Sequence, residues 1–375
     1  MLPIPARIVD RYVGWQVLLA TIMGVAVLSV VVVLGQIFKE VFELLVEKDL
    51  PLDAVFKFIA FILPFSLTFT IPWGFLTAVL LIYGRLSADN ELVSLRMAGL
   101  SMPGICRAVF IIALFLSGVS LWINNEVAPK ASEEMKDAMY EMAVDDPLAL
   151  FQADKIIDVG EYTFYSKERI EDRLKGVSVI KYDKFKYPIM YLNADWASME
   201  YDEGTDSIIM SFSGMMTLEK GDGERRKMLS QVNPGVASEE WNLEFSLEAL
   251  REDESKVKVS TRTTNFLINE LRTNPDLEKE EESRYRTEVH KRFSFSMASV
   301  TFAFIGISLG ITAQRRETSI GFALSLIIAI SYFLFIIIAD SQKSSPDVYP
   351  HLLMWLPNVI FLGLGGFLFW RLSRK

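Results

Sequence analysis

The sequence contains very little cysteine or histidine. Its 375 residues include one cysteine, Cys106, and two histidines, His290 and His351. A single cysteine excludes an intramolecular disulfide and says nothing about an oxidising compartment. Each histidine lies beside the end of a long apolar run, a position more typical of a surface residue than of a metal ligand or a general base. The sequence therefore predicts neither a metal site nor a bound cofactor.

Signatures of nucleotide binding and metal-dependent catalysis are also missing. The chain has no GxxxxGK[ST], HExxH or CxxC segment, which are the usual phosphate-binding, zinc and redox motifs. Asp340, at the end of the fifth apolar run, is interpreted as a group at headgroup level, with a proton relay as the alternative. A net charge of −9 argues against a nucleic-acid partner. We predict a non-catalytic chain, with a membrane enzyme acting on lipids as a disfavoured alternative.

Apolar residues are abundant and lie in long runs. They make up 51% of the chain, whose mean hydropathy is +0.28, and a bilayer core needs about 20 mostly apolar residues per helix. Six segments meet that length, which predicts an α-helical membrane protein with six transmembrane helices. The segments are 13–38, 55–83, 105–123, 293–313, 320–339 and 352–370.

Basic residues in the short loops predict the orientation, because cytoplasmic loops are enriched in Lys and Arg. One side carries ten such residues, namely Arg7, Arg11, Arg85, Arg96, Arg107, Arg315, Arg316, Arg371, Arg374 and Lys375. The other side carries four, namely Lys39, Lys48, Lys57 and Lys343. We expect both termini and the loop after the second span in the cytoplasm, and residues 125–292 on the opposite side.

The segment 125–292 is too long for a connector and is predicted to form a domain. After a helical continuation of the third span come short alternating runs separated by Gly, Asp and Asn, which favour a β-sandwich or jelly roll. Helices are expected before and after these strands. The predicted organisation is spans one to three in 1–124, an inserted all-β domain with flanking helices in 125–292, and spans four to six in 293–375.

The loop after the second span has more order than a connector needs. Ser87 or Asp89 is suited to cap a helix, and Gly99 and Pro103 are suited to end it. One face of that helix carries Leu92, Leu95 and Ala98. Such a helix either docks into a groove on a soluble ATPase or lies passively on the membrane interface, and the spacing does not decide between these two.

This loop resembles a known family. Residues 85–101, RLSADNELVSLRMAGLS, are similar to the loop between the second and third spans of the LptF/LptG permeases, the membrane subunits of the ABC exporter that moves lipopolysaccharide out of the inner membrane. The resemblance extends to four further segments, namely IVDRY (8–12), WINNEVAP (122–129), EVHKR (288–292) and WLPN (355–358). It covers nearly the whole chain, and in the β domain it rests on architecture alone.

The resemblance implies the fold, the partners and the location. It implies a jelly-roll-like periplasmic domain, a location in the bacterial inner membrane, and a permease subunit that extracts lipopolysaccharide or a related glycolipid. The implied partners are a cytoplasmic ABC ATPase dimer, a second related or identical permease, and a periplasmic bridge protein that receives the lipid. A mechanotransmitting or scaffolding membrane protein that moves no lipid remains the alternative function.

The resemblance also implies two sets of site residues. The ATPase-coupling set is Arg85, Glu91, Leu92 and Leu95, on the predicted helix 85–101. The lipid-binding set is Lys39 with Gln36, because basic residues near this end of span one contact the sugar-phosphate part of the lipid in the family. An ordinary snorkelling anchor is the alternative role of Lys39.

Overall fold

The computed structural model divides into two compact units. Met1–Glu133 together with Lys258–Lys375 form the helical unit, and Glu134–Val257 form the β unit. The residues that the structure describes are 4–40, 52–145, 147–150, 154, 156–159, 161–170, 172–183, 187–202, 204–205, 207–214, 217–220, 240–246, 259–274, 277–313 and 318–374.

The described helices follow the apolar runs of the sequence. In chain order they are α1 (Ile4–Glu40), α2 (Leu52–Ala88), α3 (Glu91–Met97), α4 (Met102–Trp122), α5 (Ala128–Asp145), α6 (Thr264–Thr273), α7 (Lys279–Ser296), α8 (Ala298–Ala313), α9 (Thr318–Ser341), α10 (Pro350–Leu353) and α11 (Leu356–Arg374). A π-helical turn, Ile123–Val127, joins α4 to α5. Short 3-10 turns lie at Pro147–Leu150, Val259–Thr261 and Pro346–Val348.

Within the described residues, six helical segments are long and apolar enough to cross a membrane, and each overlaps one predicted run. We call them spans one to six. They are Arg7–Gly35, Ile59–Ala88, Met102–Met135, Lys279–Thr312, Gly321–Ser341 and Pro350–Arg374. Spans two and four are the most enclosed, with 61% and 72% of their most apolar stretch buried, whereas in spans one and six 22% of that stretch is buried. The helical unit is therefore built around α2 and α8.

Close backbone approach holds span six against this centre. A Cβ on Gly365 of α11 would lie 2.6 Å from the backbone N of Ile305 in α8. Real Cβ atoms do not approach backbone that closely, so the two helices meet only because this position has no side chain. Small residues that allow such contact are typical of packing between membrane helices.

The β unit is an antiparallel sheet. Its strands are β1 (Ile156–Val159), β2 (Tyr162–Ile170), β3 (Arg173–Tyr182), β4 (Pro188–Asp202), β5 (Ser207–Ser213), β6 (Thr217–Lys220) and β7 (Glu240–Ser246). The pairing order is β1-β2-β3-β4-β5-β7, with β6 paired to β4. Residues two apart share a face of a strand, so Ile208, Met210 and Phe212 of β5 are all buried on one side. That face carries the apolar core, against which Leu148 packs.

The prediction of a helical membrane protein with a β domain is confirmed, whereas its jelly-roll topology remains a prediction. The described strands form one hydrogen-bonded sheet in which chain neighbours mostly pair. The β unit is narrower than the predicted segment 125–292, because α6 and α7 belong to the helical unit. The boundaries at 124/125 and 292/293 therefore remain predictions about how the chain is organised in the membrane.

Candidate functional site

The short helix α3 lies between two residues in left-handed backbone conformations. Asn90, at φ 59°, lies between the end of α2 and the start of α3. At the other end Gly99 has φ 87°. The Gly99 N–H donates to the Arg96 carbonyl (2.9 Å) and the Leu100 N–H donates to the Leu95 carbonyl (3.2 Å). This is a Schellman motif, and it confirms Gly99 as the helix stop.

The predicted start of this helix is wrong. Ser87 lies inside α2, and its hydroxyl donates to the Ile311 carbonyl of α8 at 3.0 Å. Asp89 lies in the turn, and α3 begins only at Glu91 after Asn90, which makes no side-chain capping bond. Because the Ser87 hydroxyl is used between two long helices, it is unavailable to cap the next helix.

The apolar face of α3 predicted to be the docking face points into the helical unit. Leu92 is buried, at 6% exposure, in a cluster with Val9 and Val13 of α1 and Met102 of α4. Leu95 is half-buried and packs against the same cluster. These two residues hold α3 on α1 and α4. Leu92 is covered by this packing, whereas Leu95 keeps part of its surface exposed.

The charged residues predicted for coupling also contact α1. The Arg85 guanidinium donates to the Gln16 side-chain oxygen. The Tyr12 hydroxyl donates to Glu91 Oε2 at 3.1 Å. Glu91 is half-buried and Arg85 is exposed, so both also remain accessible to a partner.

The outer face of α3 carries two apolar residues that the sequence analysis missed. Val93 is 51% exposed and Met97 is 84% exposed. They are four residues apart, so they share one face of the helix, on the side opposite Leu92. An exposed apolar pair on an anchored helix is suited to enter a groove on another protein. A helical-wheel comparison of both faces, rather than of the more apolar face alone, identifies them.

The predicted lipid-binding residues lie beyond what the structure describes at side-chain level. The backbone of α1 continues to Glu40 and therefore includes Gln36 and Lys39. The side chains of both residues lie outside the described part of the chain. Their role remains a proposal.

Several helices present long exposed apolar faces, among them α1 and α9. On α1 the exposed residues are Trp15, Leu19, Ile22, Met23, Val27, Val30, Val31 and Leu34. On α9 they are Phe322, Ile327, Ile330, Leu334, Ile337 and Ile338. Faces of this kind contact lipid or another membrane helix.

One catalytic-looking segment, overlooked in the sequence, has a structural role. Residues 306–310 read GISLG, a match to the GxSxG pattern of serine hydrolases. A nucleophile elbow needs an exposed serine on a turn from strand to helix, whereas Ser308 is buried in the middle of α8 and donates to the Gly365 carbonyl at 3.2 Å. Ser308 therefore joins α8 to α11, whereas Gly306 and Gly310 of the same segment lie against α2.

The two histidines and Asp340 lie at the end of the helical unit away from α3. His290 and His351 have ring centroids 5.3 Å apart, and Asp340 pairs with Lys291 at 3.2 Å. No group of three or more His, Cys, Asp or Glu side chains suited to a metal ion occurs among the described residues. These residues belong to a polar network between helix ends.

A family model matches the chain over residues 11–371, and its description is lipopolysaccharide export system permease LptF/LptG. Among curated proteins, none matches the chain. The family match spans both units and includes the loop that forms α3. The apolar helices agree with a multi-pass protein of the inner membrane. The chain therefore belongs to the LptF/LptG family of lipopolysaccharide export permeases.

Proposed function

We propose that this chain extracts lipopolysaccharide, or a related glycolipid, from the inner membrane and passes it to a periplasmic bridge protein. In this proposal the chain is the non-catalytic permease, a dimeric cytoplasmic ATPase supplies the energy, and a second related or identical permease completes the transporter. The family membership supports the cargo. The observation that carries the coupling is α3, a helix anchored on its inner face and apolar on its outer face.

Docking to an ATPase requires a helix that transmits force instead of bending. The α3 helix is held by the burial of Leu92, by the Tyr12–Glu91 hydrogen bond and by the Gly99 stop. A push on Met97 is therefore passed to α1 and α4, against which α3 packs. A helix that only rests on the membrane interface needs no such anchoring to α1.

The proposed docking face is tested by placing a charge on it. We expect Met97→Asp to lose co-purification with the ATPase and to lose stimulated ATP hydrolysis, because a carboxylate would be buried in an apolar groove. Met97→Leu is the matched control and should retain both. Membrane insertion and thermal stability should be unchanged in both variants, since Met97 is 84% exposed. If Met97→Asp binds the ATPase as well as the unmodified chain does, α3 is not the docking helix and only lies at the membrane interface.

The cargo requires apolar walls and a cation. Each methylene of an acyl chain removed from the bilayer costs about 0.8 kcal/mol unless another apolar surface covers it. The exposed faces of α1 and α9 are suited to that task, and the same faces are available to the second permease. Lys39, at the end of α1 far from α3, is proposed to pair with a lipid phosphate, with Gln36 beside it.

The proposed orientation places both termini and α3 in the cytoplasm and the β unit in the periplasm. The excess of Lys and Arg in the loops on the α3 side supports it. A cysteine at Asp172, exposed in the turn between β2 and β3, should react with an impermeant maleimide in intact spheroplasts when Cys106 is replaced by serine. Reaction only after lysis would reverse the orientation and remove the coupling role of α3.

A further inference from the structure

Three of the six spans depart from regular α-helix at one common layer. Span three contains the π-helical turn Ile123–Val127. In span four, the Met297 N–H is shared between the carbonyls of Phe293 and Ser294, each at 3.2 Å, and α8 starts afresh at the next residue. Span six is interrupted between α10 and α11 at residues 354–355. Interruptions of this kind mark positions where helices bend and are frequent at functional sites.

Side chains from neighbouring spans bond to the backbone at these interruptions. The Ser117 hydroxyl of span three donates to the Ser296 carbonyl at 2.5 Å. The Ser294 hydroxyl donates to the Met354 carbonyl of span six at 2.5 Å. Asn124, in the π-helical turn, donates to the Ser296 hydroxyl at 3.2 Å. Polar backbone at membrane depth must be satisfied within the protein, so these interruptions are built into the structure.

Asn358 lies at the centre of this layer. Its amide nitrogen donates to the Ser294 carbonyl at 2.7 Å and contacts the Ser294 hydroxyl at 2.9 Å. Its amide oxygen accepts from Thr301 of α8 at 2.8 Å and from Tyr332 of α9 at 3.2 Å. Asn358 is buried and bonds to both sides of the break at Met297. We call the layer around Asn358 the joint.

Beyond the joint, Arg292 binds residues 260–264, through which the chain returns from the β unit to the helical unit. It is buried, and its guanidinium pairs with Glu288 at 3.1 Å and donates to Thr264 at 2.8 Å. It also donates to the carbonyls of Ser260 (2.9 Å) and Arg262 (2.8 Å). A planar guanidinium with four such contacts is well suited to keep several segments in one geometry.

The segment through which the chain leaves the helical unit for the β unit is bound by the same side chains. The Thr264 hydroxyl donates to Asn125 Oδ1 at 2.7 Å, and Asn125 lies in the π-helical turn that leads into α5. Both connections between the helical unit and the β unit are therefore linked through Arg292 and Thr264. Arg292 of α7 thus bonds to one connection directly and to the other through Thr264.

The link between span four and span six is also polar beyond the joint. The Trp355 indole N–H donates to His290 Nδ1 at 3.0 Å, and Arg284 donates to the Ser344 hydroxyl at 2.8 Å. These bonds join α7 to the segment 344–355. Span five, which runs without a break, contacts α7 through the partly exposed Lys291–Asp340 pair. At the joint its Tyr332 and Phe333 rings also pack on Phe295.

We infer that residues 259–274, 277–296 and 344–355 form one rigid cap, which pivots at the joint relative to the rest of the helical unit and carries both connections of the β unit with it. Asn358 is the positioning residue at the pivot, and Arg292 is the positioning residue that attaches the connections. In hinge motions a few residues at the ends of helices or strands take up the change in backbone angles. The joint has three such helix interruptions side by side. Only the driving force, ATP hydrolysis in a partner, rests on the proposed function.

This inference gives a physical role to three segments that the resemblance singled out. WINNEVAP contributes Asn124 and Asn125, EVHKR contributes Glu288 and Arg292, and WLPN contributes Asn358. None of them takes part in the proposed ATPase docking. Together they form the joint and the attachment of the cap.

Spin-label distances in the full transporter complex in nanodiscs test the pivot. One pair joins Arg286 of α7 to Arg371 of α11, and the control pair joins Arg286 to Arg272 of α6, all exposed positions, in a Cys106→Ser background. We expect trapping with ATP and vanadate to shift the first distance distribution and to leave the second unchanged. A shift in both distances would overturn the rigid cap. A shift in neither would overturn the pivot.

A variant at the joint separates positioning from stability. Asn358→Leu should abolish the nucleotide-dependent shift and lower lipid release per ATP several-fold, while ATP hydrolysis and the Arg286–Arg272 distance stay unchanged. Thr301→Val, which removes one donor to Asn358, should have a smaller effect in the same direction. Ser331→Ala is the control, because this exposed hydroxyl bonds to the Ile327 carbonyl of its own helix, away from the joint. Equal loss of hydrolysis and release in both joint variants would make Asn358 purely structural.

Failure of the proposed function is distinguishable from failure of the cap. If the ATPase does not bind the unmodified permease, the proposed function fails. The pivot then still predicts, for the permease alone, a broader Arg286–Arg371 distribution than Arg286–Arg272 distribution. Equal widths would reject the joint whatever drives it.

Discussion

The helical unit is held at its two ends by different kinds of contact. At the α3 end, side chains such as Leu92, Tyr83 and Ile105 form an apolar cluster, with only a few polar contacts at its rim. At the other end an apolar cluster that includes Phe295, Tyr332 and Met354 is joined by buried hydrogen-bonded groups at Arg292, Glu288 and Asn358. Apolar contacts tolerate small changes in geometry. The bonds of a buried polar network form together only in an arrangement that satisfies all its members. The first end is suited to receive a force, and the second is suited to switch between discrete positions.

Among the variants that test this comparison, the one that removes a buried charge should lower the thermal stability most. Arg292→Gln removes one of two cations that pair with Glu288, whose other partner is Lys291 at 2.9 Å. The cost should therefore approach, without exceeding, the roughly 3–5 kcal/mol of breaking an isolated buried ion pair. We expect a large drop in the thermal unfolding midpoint in detergent.

Arg286→Gln is the matched control, because Arg286 also pairs with a Glu four residues earlier on α7 but is 53% exposed. Exposed pairs contribute less than about 1 kcal/mol. Similar unfolding midpoints for the two variants would remove the distinction between a polar network and ordinary surface ion pairs.

A close helix contact near the centre should give an intermediate effect. In Gly365→Ala the new methyl meets the backbone of α8, and such overpacking costs about 1–3 kcal/mol. Gly363→Ala, two residues away with no atom within 4 Å of its added Cβ, should be neutral. Thermal unfolding of both variants in detergent is the measurement, and a neutral Gly365→Ala would mean that span six moves freely against span four.

The smallest effect is expected at the rim of α3. Tyr12→Phe removes the hydrogen bond to Glu91 and should cost less than about 1 kcal/mol, since the pair is partly exposed. Glu91→Lys removes the same bond and also reverses a charge. If Glu91 contacts the ATPase, Glu91→Lys lowers stimulated ATP hydrolysis far more than Tyr12→Phe does. Equal hydrolysis by the two variants would assign Glu91 to anchoring α3 alone.

The sequence predicted what depends on local pattern. Each of the six apolar runs overlaps a described helical segment that is long and apolar enough to cross a membrane, because this property depends on length and composition alone. Gly99 marked the end of α3 because its left-handed backbone favours glycine. The short alternating runs predicted strands in the β unit, and Gly214, whose φ is +92°, follows the end of β5.

What the sequence did not predict depends on partners distant in the chain. Ser87 was assigned as a cap, but it bonds to a carbonyl 224 residues away. Leu92 was assigned to docking, but α1 and α4 cover it. The joint depends on Asn358 meeting Ser294, 64 residues earlier. Hydroxyl and amide side chains at membrane depth carry no periodic signal, so only the fold shows which of them meet.

Photo-crosslinking from α9 tests lipid transport by this chain most directly. A crosslinking residue at Ile337, 63% exposed on α9, is compared with one at Phe115, 67% exposed on α4, in the full complex in proteoliposomes containing lipopolysaccharide. The transport account predicts lipopolysaccharide adducts at Ile337 that decrease when ATP and a periplasmic acceptor are supplied, and mainly phospholipid adducts at Phe115. Equal lipopolysaccharide labelling at both positions, or none at Ile337, would contradict it.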